Sequence, residues 1–217
     1  MKSPLMILSL AASAVLIWLG VSGRIPNSWQ ECVGAVAGAW CVWLAAKENI
    51  WNWPIGLVNA VFTGIVLFEG KLFADAWLQL VYFLCGIWGW WSWVYGGANR
   101  TELPVTRCSR TELLIGLALG AIGTYFARLL LIRYNGASPM LDAVLTSFSL
   151  VAQYWLIRKR IENWVLWIVL DVVYVPWFAY RQYYLFAILY FVFLVLAVIG
   201  YRDWKNSLEK PAIASTL

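Results

Sequence analysis

Asp171 is the residue on which chemistry could turn. It lies near the middle of an apolar run, Asn163 to Tyr180, where a membrane-buried Asp costs about 2.5–3.5 kcal/mol on insertion scales. Trp164 and Trp167 share its helical face at spacings of i, i+3 and i+7, and Tyr174 continues the stripe. A carboxylate beside two indole faces suits a flat organic cation, through Coulomb attraction, stacking and cation–π contact. The plain alternative makes Trp164 an interfacial anchor and pairs Asp171 with an arginine.

Other chemistries find no footing. The chain has no His, which removes the commonest proton shuttle and metal ligand. Cys32, Cys41, Cys85 and Cys108 show no CxxC spacing, and three of them sit in apolar stretches as ordinary buried thiols. Gly64 to Lys71 has the wrong spacing for a phosphate-binding loop and lacks its hydroxyl. No HExxH or GxSxG pattern occurs. Neither a catalytic group, a metal site nor a cofactor is expected.

The elements that carry the stripe must be membrane helices. Of the 217 residues 63% are hydrophobic and 12% charged, against about 25% charged in a soluble domain. The continuous apolar runs lack strict alternation, which selects helices over a barrel. Eight spans of the length a bilayer needs are predicted: Pro4 to Ser22, Glu31 to Ala46, Trp51 to Phe68, Leu72 to Tyr95, Thr111 to Ile132, Met140 to Ile157, Asn163 to Tyr180 and Tyr183 to Gly200. The first could be a signal peptide, but no small-x-small cleavage site precedes Arg24, so a retained helix is expected. Of the 16 Lys and Arg, five (Arg24, Lys71, Arg128, Arg133 and Arg181) fall on one side, leaving eleven on the side of the termini. The positive-inside rule then puts both termini in the cytoplasm of an inner, or plasma, membrane protein. The net charge of +5 is spread over short loops, so it reports topology, Arg158-Lys159-Arg160 included, and not nucleic-acid binding. Trp88, Trp90, Trp91 and Trp93 read as an interfacial belt.

A shift of 111 residues lays the chain on itself. Asn52-Trp53 falls on Asn163-Trp164, Gly89 on Gly200, Trp93 on Trp204, Ala76 on Ala187, Glu31 on Asp142 and Lys47 on Arg158. Two triplets of helices joined by one linking helix follow: an all-α, 3+1+3 arrangement of parallel repeats plus an extra N-terminal helix. The expected parts are 1–26 (N-terminal helix), 27–98 (first repeat), 99–138 (loop and linking helix), 139–206 (second repeat) and 207–217 (tail). Carriers built this way bind substrate near the midplane, between the repeats. The counterparts of the α-helical stripe are Trp53, Gly56, Ala60 and Thr63, mostly small, with Asn59 polar at mid-depth nearby. Gln79, with Asp75 and Tyr82 on its face, has partners Phe186, Tyr190 and Phe193. It reads equally as a substrate contact or as a helix–helix hydrogen bond. Thr146, Ser147, Ser149 and Gln153 read as helix glue. A membrane enzyme, or a non-transport membrane protein, is the alternative class. An enzyme would gather catalytic groups at one interface, whereas the ionisable group here lies at mid-depth on an aromatic face.

The stretch Glu162-Asn163-Trp164-Val165-Leu166-Trp167-Ile168-Val169-Leu170-Asp171 resembles the PnuC-type vitamin transporters, the nicotinamide riboside uptake family, which carries E-N-W-x-x-W-x-x-x-N there. Trp53 to Asn59, Leu78-Gln79 with Gly89-Trp90 and Trp93, and Gly200-Tyr201-Arg202-Asp203-Trp204 resemble other parts of that family, so the similarity covers about Trp29 to Ser207. The resemblance implies a SWEET-like fold, a homotrimer in the lipid membrane, and facilitated diffusion of an unphosphorylated vitamin, an NAD precursor, trapped by cytoplasmic phosphorylation. It gives Trp164 and Trp167 the stacking role and Gln79 and Asn59 the polar contacts. With Asp171, Tyr174, Trp53 and Tyr190 they make the candidate substrate site. Asp171 stands where nicotinamide riboside members usually carry Asn, so thiamine, also cationic, is the alternative substrate and neutral riboflavin fits less well.

Overall fold

The structure is a computed structural model that describes residues 4–70, 73–134, 138–182 and 184–209. Eight α-helices occupy them: α1 (Pro4–Val21), α2 (Trp29–Ala46), α3 (Asn52–Glu69), α4 (Phe73–Tyr95), α5 (Arg110–Arg133), α6 (Pro139–Ile157), α7 (Glu162–Tyr180) and α8 (Tyr184–Glu209). The predicted spans match these bounds to within two residues except at one end. The expected starts at Leu72 and Tyr183 lie outside the described residues. The predicted stop at Gly200 is wrong, because α8 runs on to Glu209. Arg202, Asp203 and Lys205 read as loop residues in sequence, yet Trp204 between them is fully buried and its packing holds the helix together.

Five helices, α3, α5, α6, α7 and α8 from Phe186, are long and apolar enough to cross a membrane. In α2 Gln30, Glu31 and three Trp, and in α4 five Trp, lower the hydropathy, indole rings favouring the interface over the bilayer core; of α1 the stretch Ser9–Val21 counts, among the described residues, as a shorter apolar helix. The architecture is all-helical with several apolar helices, as in a polytopic membrane transporter.

The chain divides into two compact units, Met1–Leu44 with Trp51–Ile87, and Ala45–Ile50 with Trp88–Leu217. In the first, small residues let helices approach closely. Gly20 of α1 lies against Cys32 of α2, Gly34 against Thr63, Gly56 against Cys41, and Gly86 against Leu57. The start of α2 is a reciprocal capping box: Ser28 N–H donates to Glu31 Oε2 (2.9 Å) and Glu31 N–H to Ser28 Oγ (3.2 Å). In the second unit α5 packs on α6, and α7 on both α6 and α8. Gly116, Gly120 and Gly123 of α5 lie against Trp155, Phe148 and Ser147 of α6. The segment before α5 is strapped to the α6–α7 turn. Thr106 N–H donates to the Lys159 carbonyl and Ile161 N–H to that of Thr106, both at 3.0 Å. Arg160 donates to Glu112 Oε1 (2.9 Å) and to the Thr106 hydroxyl, and Cys108 N–H to Glu162 Oε2 (2.8 Å).

Candidate functional site

The α7 stripe is built by helical periodicity and closed in by its neighbours. Asp171 is 2% exposed, one residue from Leu170, which forms an apolar cluster with Leu145 and Ala152 of α6. Trp167 and Tyr174 pack against that cluster. None of the ion pairs among the described residues includes Asp171, so the arginine partner of the plain alternative is not found there. Trp164 is 1% exposed. One face of its indole lies on Gly200 of α8, and Trp204 meets it edge-on at 5.4 Å and 87°. Its Nε1 donor, like the Oδ1 of neighbouring Asn163, has no hydrogen-bond partner among the described residues. Each is a buried polar atom left open in an otherwise apolar setting.

Farther along α7, Tyr174 meets Tyr190 of α8 with ring centroids 4.3 Å apart, and Phe178 stacks on both at 5.7 and 5.1 Å. The sequence places both tyrosines in the candidate set, and the fold brings them together. Pro176 sits inside α7, leaving the carbonyl of Val172, the residue next to Asp171, without its helical donor.

Trp53, Asn59 and Gln79 belong to the first unit. Trp53 is buried. Asn59 Nδ2 donates to the Gly34 carbonyl (2.7 Å) and to Thr63 Oγ1 (3.4 Å), so its amide donor ties α3 to α2. Gln79 is half-buried and faces Gly64; it makes no hydrogen bond among the described residues. The side chain of Asp75 lies outside the described residues. Ser147 and Ser149 are buried, Ser147 against Gly123. A shallow open depression of about 320 Å³ is lined by Trp91, Tyr95 and Arg100, none of them a candidate.

Two sequence readings need correction. Trp93 is no belt residue: it is 2% exposed, and its Nε1 donates to the Leu156 carbonyl at 3.1 Å, whereas Trp88, Trp90 and Trp91 are exposed. Arg158-Lys159-Arg160 does more than set topology. Lys159 is buried on Glu48 (3.1 Å) with its ammonium 4.6 Å from the Trp93 ring centroid, and Arg160 pairs with Glu112. Opposite charges far away in sequence pulled these residues inward, and a count of positive charge does not see them.

Residues 28–206 match the family model described as Nicotinamide mononucleotide transporter. The chain is 32% identical over 212 residues to the Nicotinamide riboside transporter PnuC of Escherichia coli (strain K12), covering 86% of this chain and 89% of that one. It is 28% identical to the Riboflavin/roseoflavin transporter RibM of Streptomyces davaonensis, covering 81% and 84%. A crystal structure of the Vitamin B3 transporter PnuC superimposes with a TM-score of 0.73 at 27% identity, covering 93% and 89%. With its apolar helices, membership is consistent with a multi-pass inner membrane protein. The chain belongs to the nicotinamide mononucleotide transporter family, whose members are transporters and not enzymes.

Proposed function

We propose that the chain is a facilitative carrier for nicotinamide riboside, which cytoplasmic phosphorylation then traps. The observation that carries this reading is the stripe of α7: a carboxylate buried without an ion-pair partner among the described residues, flanked by aromatic rings, in a member of this family. Substrate lies against Trp164 and Trp167, its cationic ring balanced by Asp171, with Tyr174, Tyr190, Trp53, Asn59 and Gln79 completing the site. The frame is two parallel triplets, α2–α4 and α6–α8, joined by α5 in the SWEET-like manner. The protein works as a homotrimer with both termini in the cytoplasm. Thiamine is the second reading, favoured by the Asp at position 171.

Calorimetric binding to the purified protein with a vitamin panel tests this. Charge-assisted contacts are worth about 1.5–3 kcal/mol and about 1.4 kcal/mol is one decade. Asp171→Ala therefore weakens a cationic vitamin at least tenfold, and Trp167→Ala does similar damage. Asp171→Asn binds nicotinamide riboside nearly as well as the parent if that is the substrate, and loses most affinity for thiamine if thiamine is. Unchanged binding of every cationic vitamin by a folded Asp171→Ala protein refutes the assignment.

A further inference from the structure

At one end of the second unit the contacts are reciprocal. Trp93 Nε1 donates to the Leu156 carbonyl at 3.1 Å, and Trp204 Nε1 to the Ala45 carbonyl at 3.1 Å. Adding 111 to Trp93 and to Ala45 gives Trp204 and Leu156, so each bond is the image of the other. The two indole rings themselves meet at 5.9 Å. Lys159 Nζ and Glu48 Oε2, 3.1 Å apart, join a residue to its own counterpart 111 positions away. Within the second unit this is a residue in contact with its own repeat counterpart, the pattern an isologous interface shows. Glu48 and Lys159 also share a left-handed backbone, at φ 53° and 47°. Such strained conformations persist only where surrounding contacts hold them, and they cluster at switches.

The chemistry of the pair suits release. Lys159 is nearly buried, and Glu48, which also accepts from the Ser207 hydroxyl at 2.6 Å, is partly exposed; the attraction of such a pair is largely offset by desolvation, so parting it into water loses little. The clamp reaches the proposed substrate wall as well. Trp204 is the edge that meets Trp164, so withdrawing Trp204 uncovers one side of that ring.

We infer that the Glu48–Lys159 pair, with the reciprocal Trp93 and Trp204 bonds, is a releasable clamp that closes one end of the transport path and opens once in each cycle. This rests on the reading of the chain as a carrier, and makes Glu48 and Lys159 positioning residues, not substrate contacts.

The test replaces Cys32, Cys41, Cys85 and Cys108 with Ala, introduces Glu48→Cys and Lys159→Cys, and joins the new thiols with a cleavable bifunctional methanethiosulfonate. In liposomes the linked protein should carry nicotinamide riboside at least tenfold more slowly and recover on reduction, while its affinity changes less than threefold. Equal flux with and without the link overturns the clamp. Absence of flux for every vitamin in the unlinked protein counts against the carrier reading, and a second measurement then decides the clamp. Ser92 is buried beside it, donating to the Ile157 carbonyl at 3.2 Å, and Ser149 is equally buried in α6. With the Glu48–Lys159 pair intact, a Ser92→Cys thiol should react with a water-soluble maleimide at least tenfold faster than a Ser149→Cys thiol. Equally slow labelling of the two makes the contact a static brace and refutes the inference.

Discussion

Replacing Gly200 with Ala would strike the proposed substrate wall from behind. A Cβ at that position lies 2.6, 2.7 and 2.8 Å from Cε2, Cζ2 and Cδ2 of Trp164. These are atoms of a rigid ring whose edge Trp204 already holds, and the ring is 1% exposed, so it has nowhere to turn. Either α7 and α8 separate or the indole tilts. Overpacking of this kind costs about 1–3 kcal/mol, partly offset by the roughly 1 kcal/mol that Ala gains over Gly inside a helix. A net loss of up to about 2 kcal/mol follows, or a fall of as much as about 4–8 °C in melting temperature for a chain of this size. Nicotinamide riboside affinity should fall at least tenfold in calorimetry, because the ring moves. A Gly200→Ala protein that melts and binds like the parent refutes both the packing argument and the role of Trp164.

Gly64→Ala makes the contrasting case. Among the described residues its Cβ meets Gln79 Cβ alone, at 3.5 Å, so helix propensity decides and the melting temperature should hold or rise; a clear fall shows that α3 and α4 pack more tightly than that distance allows. Trp93→Phe and Trp204→Phe each remove one indole donor, so each should destabilise by about 1 kcal/mol and lower the melting temperature by similar amounts. A loss at one position alone breaks their equivalence. The Cys108 thiol is pushed up to about 12 by burial first and then by the charge and hydrogen bond of Glu162. It is therefore protonated at neutral pH, and as the thiolate is the nucleophile, maleimide labelling at pH 7.4 should run at least tenfold slower than for a free cysteine; labelling at the ordinary rate shows the thiol is not held there. A reporter fused after Leu217 should read as cytoplasmic, and a periplasmic reading sinks the charge-count topology.

What sequence made legible were the features that repeat along one helix. Apolar runs located every helix, and a 3.6-residue period put Trp164, Trp167, Asp171 and Tyr174 on one face. What it missed depends on partners far along the chain. The Trp93 indole looks like a belt residue until Leu156 supplies a carbonyl, and nothing local to Trp204 shows that Ala45 does the same for it. Lys159 looks like a topological charge until Glu48 neutralises it. Asn59 looks like a free polar contact until the close approach at Gly34 offers its carbonyl. Nor does the local sequence around Trp164 say that Gly200 backs its ring.

Packing explains why the rings of Trp167 and Tyr174 have no counterpart at the equivalent positions of α3. In the first unit α2 and α3 meet through Gly34 with Thr63 and Cys41 with Gly56. A shift of 111 turns these pairs into Leu145 with Tyr174 and Ala152 with Trp167, and in the second unit Leu145 and Ala152 belong to the cluster on which Tyr174 and Trp167 pack. The repeat-equivalent positions lie in the helix packing of both units, and their side-chain sizes differ. A Cβ at Gly56 would already lie 3.0 Å from Cys41 Sγ, and one at Gly34 3.0 Å from Thr63 Oγ1, so rings the size of Trp167 and Tyr174 cannot be seated at positions 56 and 63 of α3 without driving α2 away. Leu145 and the larger residues opposite it hold α6 and α7 apart by filling the space instead. The repeat positions of the sequence thus carry small residues in the first unit and, in the second, the Trp167 and Tyr174 rings of the proposed site.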